Sequence, residues 1–193
     1  LASGVWTALR MPALIDVHHA RTAALFAAAD RVIAPAPWVS DLLRRNAVPD
    51  DRLTLVRQGV EEAGARAPRS RRPGEPRRLV HRGRLDPSKG TTLLVEAVRA
   101  IADAPLTLDI FGVVQDAAAS GRRSAIEALA EGDTRIRVLP ALPADGVHAR
   151  LADYHAVVVP SQGMETGPLV VLEAFRAGLP VIGSALGGIR DLV

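Results

Sequence analysis

From residue 78 onward, short apolar runs alternate with helix-patterned segments, and this alternation restricts the fold more than any other feature of the chain. The runs occupy residues 78–81, 106–111, 136–139, 156–159 and 180–182. They are rich in Val, Ile and Leu and lack a polar residue at every second position, which is the character of strands covered on both faces. Between them lie segments with helical spacing, at about 92–102, 120–130, 146–152 and 169–177. Strands and helices in this order predict an α/β fold with a parallel, doubly wound sheet. Right-handed crossovers bring the C-terminal ends of the strands to one rim. Ligands of such sheets bind at that rim, so the residues standing there decide the function.

The upstream part is organised differently. Residues 30–35 read as a short strand. Residues 37–46 read as a helix, with Trp38, Val39, Leu42 and Leu43 at helical spacing, and 53–56 read as a second strand that closes at Gly59. The first 25 residues are Ala-rich and partly helical. Between the two parts, Arg66, Arg69, Arg71, Arg72, Arg77 and Arg78 crowd together with Pro68, Pro73 and Pro76. Such a stretch is a solvated linker kept extended by proline or a patch for nucleic acid. No aromatic side chain interleaves with the arginines to stack bases, so nucleic acid is not the expected partner. The organisation expected is a unit at 1–60, a linker at 61–77 and a unit at 78–193.

Composition narrows the classes. The chain has 193 residues, room for one domain and part of another. Aromatics are 3%, so Val, Leu, Ile and Ala must build the core. There is no cysteine. That excludes a disulfide scaffold and a thiolate metal site, and it fits a cytoplasmic location. No apolar run reaches the roughly 18 to 20 residues of a membrane span. The N-terminus has neither a signal-peptide pattern nor an initiator Met, and a fragment of a longer protein is expected.

Two segments at the rim carry chemistry. The first is Gly83-Arg-Leu-Asp-Pro-Ser-Lys-Gly90, read as a loop from the first strand to a helix. Its two glycines let the backbone turn and a ligand come close. Arg84 offers a planar fork of donors and Lys89 a mobile point charge, a pair suited to a diphosphate. Two solvated loop cations are the plain alternative. The loop has neither the Walker A sequence nor the spacing of a dinucleotide fingerprint.

The second segment follows the strand at 156–159. After Pro160-Ser161 comes the loop Gln162-Gly-Met-Glu-Thr-Gly167, then Pro168 and a helix. Proline is favoured at the first helical position, which puts Gly167 at the N-cap. The N–H groups of Leu169 and Val170 then lack intrahelical partners, and with the helix dipole they form an anion site. Glu173 stands among apolar neighbours on a helix that reads as buried nearly all round. A carboxylate there needs hydrogen-bond donors, and a ribose diol near a phosphate supplies them. The alternative is an exposed Glu on a polar stripe with Arg176. Glu165, in the loop, is eight positions from Glu173, so no close carboxylate pair is required. His18-His19 is adjacent rather than spaced for one metal ion, and no metal site is expected.

With these residues in view, the chain resembles the large family-four group of retaining glycosyltransferases with the GT-B fold. The resemblance rests on the 83–90 segment, the Glu-x7-Glu pattern from Glu165 to Glu173, Ala177-Gly-Leu-Pro-Val-Ile182 and Gly187-Gly-Ile189. The Ala29–Pro35 and Trp38–Leu43 stretches join it, and it covers roughly residues 29–193.

The resemblance implies a Rossmann-like C-terminal donor domain at 78–193 and a remnant of the N-terminal acceptor domain at 1–60. It implies sugar transfer from a nucleoside diphosphate sugar to an unknown acceptor with retained configuration, and no cofactor or metal. Arg84 and Lys89 would hold the diphosphate and Glu173 the ribose. Glu165 would contact the transferred sugar. Gly167 and Leu169 would present backbone N–H groups, with Thr166 beside them, and Gly83 would let the backbone approach the donor. Residues 138–142 would lie by the base.

The sequence departs from the family at Gln58-Gly-Val60, where Asn-Gly-Val is common, and at Pro140, where glycine is frequent. Most of the acceptor domain is missing, so the chain is expected to bind donor weakly and not to turn over alone. The full-length enzyme would supply that domain, with peripheral membrane association open to it. A phosphorylase or epimerase on the same fold, or a non-catalytic nucleotide- or nucleic-acid-binding module, are the alternatives.

Overall fold

The structure is a computed structural model and describes residues 2–61, 70 and 72–193. The chain divides into two units, Leu1–Arg57 and Gln58–Val193. Arg66, Arg69 and Arg71 of the expected linker lie outside the described residues.

The first unit begins with helix α1 (Ala2–Ala28), longer than the partial helix expected there. It continues through β1 (Val32–Ala34), α2 (Pro37–Arg45) and β2 (Leu53–Leu55). β1 and β2 pair in parallel, with Ile33 opposite Thr54. Pro37 opens α2 after an extended Ala36, the position where a missing N–H costs nothing. Arg31 donates to the Asp51 carbonyl at 2.7 Å and Arg52 to that of Ala27 at 3.0 Å. These bonds tie the end of α1 to the turn before β2.

The second unit alternates strand and helix throughout. Its elements are β3 (Arg77–Arg84), α3 (Thr91–Ala100), β4 (Leu106–Val113), α4 (Ala117–Ala130), β5 (Ile136–Leu139), α5 (Val147–Leu151), β6 (Ala156–Val159), α6 (Leu169–Arg176), β7 (Val181–Gly183) and α7 (Gly187–Arg190). The sheet order is β5-β4-β3-β6-β7, and every pair is parallel. This is the predicted doubly wound sheet, and strand order reverses between β3 and β6, where such sheets bind ligands.

The absence of polar alternation in the strands follows from cover on both faces. On one face Leu94, Val95, Val98 and Ile126 of α3 and α4 share a core with Leu108, Ile110 and Val158. On the other, Leu151, Val171 and Ala174 of α5 and α6 share one with Val80, Val157 and Val159. Successive strand residues feed opposite cores, so Val157, Val158 and Val159 are all buried.

Polar residues also sit within this layer. Asp109, 2% exposed on β4, accepts both arms of the Arg137 fork at 2.7 Å and the Tyr154 hydroxyl at 2.6 Å. Burial pushes its pKa up, but the Arg137 and Tyr154 hydrogen bonds outweigh burial and hold it below the usual carboxylate value.

Several expected boundaries need correction. β3 runs through Gly83 and Arg84, so these residues belong to a strand and not to a loop. It also takes in Arg77, assigned above to the linker. β4 draws it out, pairing with it along its whole length from Arg77↔Leu106 to Arg84↔Val113. α4 starts three residues early because Asp116 caps it, accepting the Ala119 N–H at 2.6 Å. α6 starts at Leu169, so the N-cap is Pro168 rather than Gly167. Nor is α6 buried all round: Val171 and Ala174 are buried, while Leu169 and Phe175 are 47% and 45% exposed.

Candidate functional site

The site is prepared by the uneven pairing of β3. It pairs with β6 only at Leu79↔Ala156 and Val80↔Val157. Residues 81–84 therefore extend past the last rung on that side, at the switch point. A cavity of about 400 Å³ opens there, lined from β3 by His81, Arg82, Gly83 and Arg84. Gly83 needs no special backbone angle. A Cβ there would meet no atom closer than 4.0 Å, so the missing side chain leaves room on the cavity wall.

The loops after β3 and β6 are fastened together. The Gln162 N–H donates to the Ser88 carbonyl at 2.7 Å. Asp86 accepts the Ser88 N–H at 2.9 Å and its hydroxyl at 2.6 Å, which fixes the turn Pro87–Lys89. These Ser88 bonds also hold the Asp86 carboxyl below its usual pKa. Gly90 closes the turn with φ 69°, and a Cβ there would lie 2.0 Å from the Pro160 carbonyl oxygen. Conformation and space both require glycine at this point.

Fastening the loops brings Lys89 to Glu165. Nζ donates to Oε1 at 2.5 Å, and the Ser161 hydroxyl donates to the same oxygen at 2.8 Å. Both side chains are about four-fifths buried. Glu165 is thus no solvated loop acid. Its backbone is held from behind: the Gly188 N–H donates to the Glu165 carbonyl at 2.6 Å. A Cβ on Gly188 would come within 2.7 Å of that carbonyl. The Gly187-Gly188 pair is therefore a cradle for the Glu165 loop.

Beneath the cavity lies His81, 3% exposed. Its Nδ1 is 3.0 Å from the Val158 carbonyl and its Nε2 is 3.0 Å from the Thr91 hydroxyl. A carbonyl only accepts, so Nδ1 carries the proton and Nε2 accepts from Thr91. The imidazole thus links β3, β6 and the start of α3 in its neutral form. Burial pushes its pKa below the usual value, and the Lys89 charge adds to this against the Val158 bond.

The unfolded chain then binds a proton that the folded one refuses, so stability falls as pH drops below about 6.5, and the loss ends below the folded pKa. Melting temperature followed from pH 7 to pH 5 is expected to decline more steeply for the wild type than for His81→Gln. Equal slopes would refute the neutral buried imidazole.

Glu173 differs from expectation. It needs no diol to satisfy it, because Arg82 Nη1 donates directly to its Oε2. Each member of this ion pair is 23% exposed. Arg82 was not singled out from sequence, although its place two residues before Arg84 on one strand puts both on the same face. Ser161, His81 and Gln58 were also missed. A Cβ on Gly167 would fall 2.6 Å from the Gln58 Oε1, so glycine leaves space for that amide at the cavity.

Six of the residues singled out from sequence line this one cavity: Gly83, Arg84, Lys89, Glu165, Gly167 and Leu169. Thr166 and Glu173 are not among its lining residues, and neither are residues 138–142. The carbonyls of Val138 and Leu139 accept instead from Arg123 at 3.3 and 3.2 Å. Among the described residues, no group of three or more His, Cys, Asp or Glu side chains is placed to hold a metal ion.

The sequence family described as Glycosyl transferases group 1 matches residues 76–193. Over 189 residues the chain is 33% identical to the D-inositol 3-phosphate glycosyltransferase of Xylanimonas cellulosilytica, covering 86% of this chain and 43% of the relative. Over 117 residues it is 36% identical to the glycogen synthase of Thermus thermophilus, covering 60% and 25%. Among solved structures, the sucrose-phosphate synthase of Thermosynechococcus elongatus superposes with a TM-score of 0.71 at 26% identity, over 91% of this chain and 45% of that one. The Anabaena protein HepE, solved with UDP and glucose, gives 0.68 at 17% identity over 86% and 47%, a likeness of fold. The chain thus spans less than half the length of these proteins. Its doubly wound sheet is the one found in GT-B glycosyltransferases. Family match, relatives and fold agree, and the chain belongs to the group 1 family of glycosyl transferases.

Proposed function

We propose that this chain forms the donor-binding side of an enzyme that transfers a sugar from a nucleoside diphosphate sugar to an acceptor with retained anomeric configuration. The observation that carries this reading is the convergence of Arg84, Lys89, Glu165 and the start of α6 on one cavity at the switch point. In this reading the diphosphate lies against Arg84 and Lys89. The first N–H groups of α6, at Leu169 and Val170, add donors and the positive end of the helix dipole. Glu165 meets hydroxyls of the transferred sugar, with Gly167 and Thr166 beside it, and Glu173 meets the ribose.

Negative charge develops on the diphosphate as the bond to the anomeric carbon breaks. Fixed cations and N–H dipoles stabilise that charge without having to reorganise. Lys89 is shared between Glu165 and the diphosphate, so one cation links the sugar end of the donor to its leaving group. These groups do the work a divalent cation does elsewhere, and we infer that no metal is needed. No described helix is long and apolar enough to cross a membrane. The reading takes the enzyme to act in the cytoplasm, in keeping with a chain that has no cysteine.

Calorimetric titration with UDP, GDP and ADP tests donor binding. Heat of binding is expected with at least one of them, and its absence with all three in a folded sample refutes the reading. Proton NMR of the first product formed by the full-length enzyme tests retention: an inverted anomeric centre would overturn it.

A further inference from the structure

We propose that Arg82 is a specificity-determining residue, and that the ribose of the donor is read by the Arg82–Glu173 pair acting as one unit. The inference rests on the donor-binding reading above and adds a residue to it.

Arg82 lines the cavity, whereas Glu173 is not among the lining residues. Arg82 is therefore the member of the pair that borders the cavity. It reaches this place because Arg82 shares a strand face with Val80 and Arg84, the face that packs on α6. Its Nη1 is committed to Glu173 Oε2, and its side chain makes no other hydrogen bond among the described residues. Each partner keeps 23% of its side chain exposed.

The chemistry of the pair differs from that of a lone carboxylate. A lone carboxylate presents only acceptors, two oxygens that take both hydroxyls of a diol. Here one oxygen is already bound to Arg82, so Glu173 offers Oε1. The guanidinium, with five N–H donors in a fixed fork, offers those not aimed at Glu173. Acceptor and donors side by side match a single hydroxyl, which both gives and takes a hydrogen bond. A ribose hydroxyl placed here donates to Glu173 and accepts from Arg82. Removing that hydroxyl leaves a half-buried carboxylate oxygen and a charged N–H unpaired together, which makes the pair a sensitive discriminator. Arg84 and Lys89 lie further along the rim and have no part in this step.

The test compares each nucleoside diphosphate with its 2′-deoxy form, using UDP and dUDP, GDP and dGDP, and ADP and dADP, on the full chain by calorimetry. Inorganic pyrophosphate serves as the ligand without ribose. For the wild type, the ribonucleotide is expected to bind about tenfold more tightly than its deoxy form. In Arg82→Ala the preference falls to about one, and in Arg82→Lys, which keeps a counterion for Glu173, to about threefold. Pyrophosphate affinity stays within about twofold in both variants, an outcome that a general loss of structure would not give. If Arg82→Ala does not fold, Arg82→Lys carries the same comparison.

An unchanged preference in the variants overturns the inference and leaves donor binding intact. A fall in pyrophosphate affinity equal to that for the ribonucleotide also overturns it, since Arg82 would then be a further diphosphate cation. Failure of the wild type to bind any of the six nucleotides removes the donor-binding reading and this inference with it.

Discussion

Replacing Asp109 with alanine is expected to lower the melting temperature by about 10 °C, the largest stability effect of any single polar side chain in the sheet. The carboxylate is 2% exposed and serves three donors: two from Arg137 and the Tyr154 hydroxyl. Tyr154 is 1% exposed, so its hydroxyl loses its partner where water does not replace it. Arg137 is 56% exposed and rehydrates, which moderates the loss. An unsatisfied buried hydroxyl, a broken half-buried ion pair and a small void together cost about 3 kcal/mol. For a chain of this size each kcal/mol shifts the midpoint by about 2–4 °C. Asp109→Asn keeps an acceptor for the hydroxyl and is expected to lose about half as much. Thermal unfolding followed by circular dichroism reads both values. A shift below about 2 °C for the alanine variant would show that the network is dispensable.

Under the proposed function, nucleotide affinity is expected to respond most to the two cations. Arg84→Gln combined with Lys89→Gln is expected to weaken binding of the preferred nucleoside diphosphate by about a thousandfold. In the donor-binding reading each side chain would supply a charge-assisted hydrogen bond to the diphosphate. Folding should suffer little. Arg84 is exposed, and Ser161 still donates to Glu165 once Lys89 is neutral. The single variants separate two roles. Arg84→Gln removes only a donor to the ligand, whereas Lys89→Gln also releases Glu165. Transfer by the full-length enzyme should therefore lose more with Lys89→Gln than with Arg84→Gln, through kcat as well as KM. Equal affinity of the double variant and the wild type would remove these cations from the site.

The sheet was legible because burial on both faces leaves short unbroken Val, Ile and Leu runs, and their alternation with helical segments marks a parallel sheet. The runs at 136–139 and 156–159 coincide with β5 and β6. Ends were less legible where a neighbour sets them. β3 continues to Arg84 because β4 offers rungs that far, and no property of Arg82 or Gly83 announces this.

The same limit applied at the site. Glycine and charge spacing picked out Arg84 and Lys89, since local sequence records a need for turns and cations, whereas Glu165 came in through the family resemblance. The Arg82–Glu173 bond spans 91 positions and the Lys89–Glu165 bond 76. Such pairings exist only once the strand order is set, so the sequence suggested an acid in search of a partner and the fold supplied the partner. Gly188 was recognisable as part of a motif. Its purpose, carrying the backbone of Glu165, became visible with the contact itself.

The short ladder between β3 and β6 has a consequence for how such a protein changes over time. The last shared rung is Val80↔Val157, and the groups that face the cavity from β3 come after it. Substitutions at residues 82 and 84 therefore reshape the cavity wall without touching the rungs that hold β3 to β6. Cavity wall and framework occupy successive stretches of one strand, which leaves the lining of the pocket free to drift while the architecture stays put.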